Sequence, residues 1–154
     1  MARSETRERR YAFPVAVEWL EGRALETRVP EKEPLRVATP PEFGGAEPTT
    51  WSPEDLLVAA TASCWAATFL AVAERRGLPV RRLAVDGAGA MGLVDGRLAF
   101  TAVELSVRID TDEGGADAVL AAADRAGSAC FVSEALAVPV QVAVHVATDL
   151  DRAA

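Results

Sequence analysis

The sequence predicts an α+β fold in which antiparallel sheets surround one long buried central helix. Three observations carry that expectation. Residues 56–73 hold no charged side chain. Two long alternating runs meet at Asp95-Gly96, a preferred hairpin dipeptide. Val138, Val140, Val142, Val144 and Val146 then repeat with the period of a half-buried strand.

The elements follow in order. Phe13, Val15, Val17 and Trp19 share one face of a strand over 13–19. Glu21-Gly22 turns the chain into a second strand over 23–29, and Leu35-Arg36-Val37 forms a third. Residues 40–50, PPEFGGAEPTT, have no period and form a loop. Ser52 as cap and Pro53 at the first helical position then start the long helix. Gly77 closes it, with Arg75 and Arg76 at its negative end. Strands over 80–92 and 97–110 make the hairpin. In the second of these, Phe100, Ala102, Glu104, Ser106 and Arg108 oppose Ala99, Thr101, Val103, Leu105, Val107 and Ile109. A turn over 111–115, a helix over 116–126 and a short helix over 130–136 precede the valine-rich closing strand.

The chain has 154 residues and a net charge of −7, which suits one domain over 12–150 behind a solvated tail over 1–11. An acidic chain lacks the basic face that nucleic acid needs, so no nucleic-acid partner is expected. The N-terminus has no apolar run and small-residue cleavage site, which points to the cytoplasm. The 18 uncharged positions reach the lower bound for a membrane span. Their Ala, Ser and Thr content instead fits a helix buried in a dimer, so no membrane partner is expected. A monomer would leave part of that helix bare, which predicts an obligate homodimer.

Gly87-Ala88-Gly89-Ala90-Met91-Gly92 matches the letter of a dinucleotide fingerprint, yet hairpin sequence follows it where a helix should open. It reads as a strand that lets another segment pack close. His145, the one histidine, is a solvated strand residue, and without further ligands or a second histidine neither a metal site nor a Cys-His hydrolase is expected. No cofactor is implied. Trp19, Trp51, Trp65 and Phe43 could line an apolar mouth, although large aromatics are more often core.

Cys64 and Cys130 remain, too far apart in sequence for a redox loop. In the cytoplasm two cysteines point to reactive thiols rather than a permanent staple, with inert core thiols as the alternative. Cys64 falls mid-helix, where the macrodipole helps little, and Cys130 begins a short helix whose free N–H groups favour a negative sulfur. Local physics therefore ranks Cys130 as the more acidic thiol. Glu54 could orient an activating arginine, but it precedes Cys64 by ten helical positions, a rise of about 15 Å. A kink or a dimer partner would have to unite them.

The run Ser52-Pro53-Glu54-Asp55-Leu56-Leu57-Val58-Ala59-Ala60, then Ala62-Ser63-Cys64, resembles the first signature of the OsmC/Ohr family. Cys130-Phe131-Val132-Ser133-Glu134-Ala135-Leu136 resembles the second, with Phe131 where proline is usual. The resemblance implies an OsmC-like fold in an intertwined homodimer, with the central helices between curved sheets. It implies reduction of organic hydroperoxides, with Cys64 peroxidatic, Cys130 resolving and Glu54 orienting an arginine; this overrides the local ranking of Cys130, because tertiary contacts can outweigh a helix terminus. A dithiol reductant, lipoyl-protein in one branch, would regenerate the thiols. The family's arginine position falls on Leu20 in one branch and Pro40 in the other, leaving Arg23 and Arg36 as substitutes. Without a cation near Cys64, the chain would be a binding or sensing member with little peroxidase activity.

Overall fold

The computed structural model describes residues 10–148, so most of the expected tail and the last residues of the expected domain lie outside it. The described chain gathers into two compact units that part at Pro53 and Glu54.

The first unit is a meander. Strands β1 (Ala16–Glu21), β2 (Ala24–Arg28) and β3 (Leu35–Ala38) pair antiparallel in sequence order. Trp19 faces Leu25 and Glu21 faces Ala24, so Leu20 is left unpaired as a bulge. The loop that follows contains a short 3-10 turn, Pro41–Phe43. The strand expected over 13–19 starts only at Ala16, so Phe13 and Val15 precede it; in the single chain Phe13 is 88% exposed and Trp19 72%, with Val15 and Val17 also open. Periodicity reports which side chains share a face, and only the surroundings decide whether that face is buried.

The second unit carries the core. Helix α1 (Pro53–Arg75) starts at the predicted proline. It ends in a Schellman closure: the Leu78 N–H donates to the Ala73 carbonyl and the Gly77 N–H to that of Glu74, with Gly77 at φ 63°. Thr61, Trp65, Phe69, Val72 and Ala73 make one buried stripe along it. The helix expected to be buried all round thus buries one face within a single chain, and Leu70 stays exposed. Among the described residues it is also the helix long and apolar enough to cross a membrane, at a mean hydropathy of 1.9.

Strands β4 (Val80–Val94) and β5 (Arg97–Thr111) form the expected antiparallel hairpin, with Asp95 and Gly96 both at positive φ. Helix α2 (Ala116–Gly127) buries Val119, Ala122, Ala123 and Ala126, and α3 (Phe131–Ala135) follows it. Strand β6 (Val140–Ala147) then pairs with β5 in parallel, Val103 facing Val140 through to Asp110 facing Ala147. This departs from purely antiparallel sheets. The intervening helices return the chain to the end of the sheet from which β5 set out, as a parallel neighbour requires.

A second difference lies in β5. Ala90 faces Ala102 but Met91 faces Phe100, so Thr101 is an extra, unpaired residue. One such residue reverses the alternation beyond it. Phe100 therefore lies against Gly89, on the face that carries Val103 and Leu105, and not opposite them.

The Gly-rich run sits inside β4, as the strand reading anticipates. A Cβ at Gly87 would stand 2.8 Å from Val58 Cγ1, and one at Gly89 would stand 2.9 Å from Val58 Cγ2 and 2.6 Å from Phe100 Cε1. These contacts are shorter than packed carbons tolerate, so glycine here sets how closely α1 approaches the sheet. At Gly92 the nearest atom would be Thr101 Cγ2 at 3.6 Å, an ordinary contact. Gly87→Ala should therefore lower stability by about 1–3 kcal/mol in urea denaturation, whereas Gly92→Ala should change it by less than about 0.5 kcal/mol. Combining Gly87→Ala with Val58→Ala should give less than the sum of the two losses, and strict additivity would show that the contact is not the cause.

Candidate functional site

Cys64 lies in the middle of α1, its carbonyl accepting the Thr68 hydroxyl at 2.8 Å. It is partly exposed and packs against the core cluster to which Cys130 belongs. Cys130 is the extended residue before α3, at φ −78° and ψ 110°, and is 0% exposed. Both cysteines are free, they meet in one core cluster, and the Cys64 side chain is among the groups that lower the Cys130 thiol. Two residues remote in sequence are thereby brought together within one chain, because α2 and α3 carry the second back under the helix that holds the first.

Burial pushes the Cys130 thiol up, as desolvating a thiolate must. The Ser133 hydroxyl, the Ser133 backbone N–H, the Cys64 thiol and the Val132 backbone N–H oppose this, and together they bring it below the ordinary thiol value. An acidic thiol at the start of a short helix is what the sequence suggests on local grounds. Ser133 is the participant that sequence reasoning does not single out. Its Oγ is buried and has no partner of full hydrogen-bond geometry, and the Cys130 sulfur is the acceptor it approaches. A neutral thiol accepts such a bond weakly and a thiolate accepts it strongly, so the contact matures when Cys130 ionises. Its signal in the sequence is a serine three residues after a cysteine at a helix start.

Glu54 is not brought to the pair. Helix α1 runs unbroken from Pro53 to Arg75, so the same chain's Glu54 stays about 15 Å along the axis from Cys64. Glu54 Oε2 is buried and unpartnered among the described residues. The two substitute arginines are both engaged inside the first unit. Arg23 donates from Nη1 to the Phe43 carbonyl. Arg36 forms a two-pronged pair with Glu47, Nε to Oε2 at 2.9 Å and Nη2 to Oε1 at 2.6 Å, and Thr50 Oγ1 adds a third bond to Glu47 at 2.9 Å. Leu20 is the bulged residue of β1.

The aromatic residues divide. Trp65 is core and stacks on Phe69, ring centres 5.5 Å apart, with its indole N–H unpartnered among the described residues. Trp19, Trp51 and Phe43 are exposed in the single chain. His145 is exposed and faces Arg108 across the β5–β6 pairing. An open groove on the sheet is lined by Asp86, Glu104, Ser106 and Gln141 among others, and by neither cysteine.

A sequence model of the family described as OsmC-like protein matches residues 44–145. No curated protein matches the chain by sequence. Among solved structures, an OsmC-like protein of unknown function from Vibrio cholerae O1 biovar eltor str. N16961 superposes with a TM-score of 0.80 at 18% identity, covering 88% of this chain and 100% of that one. An organic hydroperoxide resistance protein from Elizabethkingia anophelis gives 0.73 at 19% identity, over 92% of this chain and 99% of its own. An organic hydroperoxide resistance protein OsmC from Legionella pneumophila gives 0.70 at 22%, over 89% and 97%. At these identities the likeness is one of fold.

The Arg36 clamp carries a measurable signature. Hydrogen bonds from Arg36 and then Thr50 hold the Glu47 carboxyl down to about 2, below its ordinary 4.5. A carboxyl depressed on folding stabilises the fold above its unfolded value, and that contribution fades as pH falls through the folded value. Carboxyl NMR titration should therefore place the Glu47 midpoint near 2. Arg36→Gln should return it toward the ordinary value, and an unchanged midpoint in that variant would rule the clamp out as the cause.

Proposed function

Because the chain belongs to the OsmC-like protein family, we propose that it is a thiol-dependent peroxidase for organic hydroperoxides, acting through Cys64 and Cys130. The observation that carries the reading is the meeting of two free thiols in one core cluster, one partly exposed and one buried, the first acting on the second. A Cys64 thiolate attacks the peroxide O–O bond, takes one oxygen as a sulfenic acid, and releases an alkoxide that leaves as the alcohol after taking a proton. The Cys130 thiolate then attacks the Cys64 sulfur, forming the disulfide as the sulfenic oxygen departs as water. An external dithiol, of which a lipoyl group is one example, returns both sulfurs to the reduced state.

The working unit in this reading is a homodimer. A same-chain Glu54 is out of reach of Cys64 along an unbroken helix, so Glu54 serves the thiol site only from a partner subunit. The bare apolar face of β1 and the exposed side of α1 supply surface for such a partner. The helix that meets the length of a membrane span is in this reading a core helix, in keeping with its buried stripe and a cytoplasmic protein.

The engagement of Arg23 by Phe43 and of Arg36 by Glu47 favours a second reading, a binding or sensing protein whose Cys64 lacks an activating cation. One experiment separates the two. Reduced protein treated with stoichiometric tert-butyl hydroperoxide should lose both thiols within seconds to a Cys64–Cys130 disulfide, mapped by mass spectrometry, as peroxide disappears. Cys64→Ser should abolish peroxide consumption, and Cys130→Ser should stop at a Cys64 sulfenic acid trappable by dimedone. Thiols that stay reduced, or peroxide loss that survives Cys64→Ser, would exclude the peroxidase.

A further inference from the structure

We infer that thiol–disulfide exchange at this site has one direction: an incoming thiolate attacks Cys64, and Cys130 leaves, held by Ser133 as a positioning residue. The inference rests on the disulfide chemistry proposed above and specifies which sulfur meets the reductant.

Three features point the same way. Access comes first. Cys130 is 0% exposed, enclosed by the core with Trp65, Val119 and Ala126 among its members, whereas Cys64 is partly exposed. Exchange requires a thiolate to approach the attacked sulfur along the disulfide axis, so the buried sulfur is the poorer target. The second feature is the orphaned Ser133 hydroxyl. It is a buried donor without a partner of full geometry, at a site whose acceptor is the Cys130 sulfur. A disulfide sulfur accepts hydrogen bonds poorly, so Ser133 goes unsatisfied until that sulfur becomes a thiolate. Negative charge arriving on Cys130 thus relieves a desolvation cost that the oxidised state bears. The third feature is that the Val132 and Ser133 backbone N–H groups already point at the same sulfur. A sulfur so provided with donors is the better leaving group, in line with its lowered pKa.

The exchange balances as follows. The first thiolate of an external dithiol forms a bond to the Cys64 sulfur. The Cys64–Cys130 bond breaks, and its electron pair departs on Cys130. The second thiol of the reductant, losing its proton, attacks its own partner sulfur in the mixed disulfide and expels Cys64 as a thiolate. The reductant leaves as a disulfide, oxidised by two electrons, and its two protons are those that the cysteines regain.

The test forms the disulfide with diamide, so that it does not depend on peroxide chemistry. Oxidised wild type, Ser133→Ala and Ser133→Thr are treated with excess glutathione, quenched in acid, alkylated with N-ethylmaleimide and mapped. Glutathione should be found on Cys64 and the alkylating label on Cys130. Ser133→Ala should slow the exchange by roughly three- to tenfold, the size of losing one charge-assisted hydrogen bond at the leaving sulfur, and Ser133→Thr should restore most of it. In a Cys64→Ser background, Ser133→Ala should also move the pH profile of Cys130 alkylation upward, which a purely structural role would not do. Glutathione on Cys130, an even split, no disulfide under diamide, or an unaltered rate in Ser133→Ala would each overturn the inference. Failure to consume hydroperoxide, with glutathione still mapping to Cys64, would instead count against the peroxidase alone.

Discussion

The close approach of α1 to β4 over Gly87 and Gly89 is the constraint on which the second unit depends. A side chain at either glycine would collide with Val58, so the absence of one lets the Val58 side chain rest on the strand backbone. That approach sets Trp65 and Phe69 into the core beside Val103, Leu105 and Val107. It also decides where Cys64 falls, because a helix is rigid enough that fixing Val58 fixes residues one and two turns on. Cys64 thus takes its place from a residue type that contributes no side chain.

Around the Cys130 sulfur the polar groups are a hydroxyl, a thiol and two backbone N–H groups. Burying Cys130 opposes its ionisation, and four donors reverse the outcome without a full charge among them. Hydrogen bonds of this kind act at short range and scarcely feel salt, unlike a guanidinium at a surface. The arginines of the first unit make their own local bonds, and the Arg36–Glu47 clamp ties β3 to the loop that follows it. Its exposed, two-pronged geometry organises that loop more than it stabilises the chain.

Much of the architecture was legible from residue patterns, and the failures are instructive. Pro53, Gly77 and Asp95-Gly96 marked their boundaries because each has a local conformational reason to sit there. The bulge at Thr101 left no trace, since an inserted residue changes pairing and not composition. The direction of β6 was equally silent: Val140, Val142 and Val144 alternate identically whichever way the strand runs. Of the four residues expected to share the first strand's face, Phe13 and Val15 fall before β1 and all four are exposed in the single chain, because burial depends on what lies opposite. At the site, the resemblance to a family paired Cys64 with Cys130, and local electrostatics alone picked out Cys130 as acidic. Neither flagged Ser133, whose significance appears only once its hydroxyl is seen to be enclosed.

The parallel pairing of β6 with β5 has a bearing on how the chain matures. Helices α2 and α3 form the crossover between those strands, and Cys130 rides on it. Until the crossover docks, Cys64 has no neighbour to react with, and non-local pairing of this type is slow to assemble. An oxidant met before that moment finds two solitary thiols on an incompletely packed chain, able to couple between molecules. Met afterwards, under the chemistry proposed above, it finds a matched pair that closes on itself. On that proposal, the redox behaviour of the polypeptide is a readout of whether its last strand has been added.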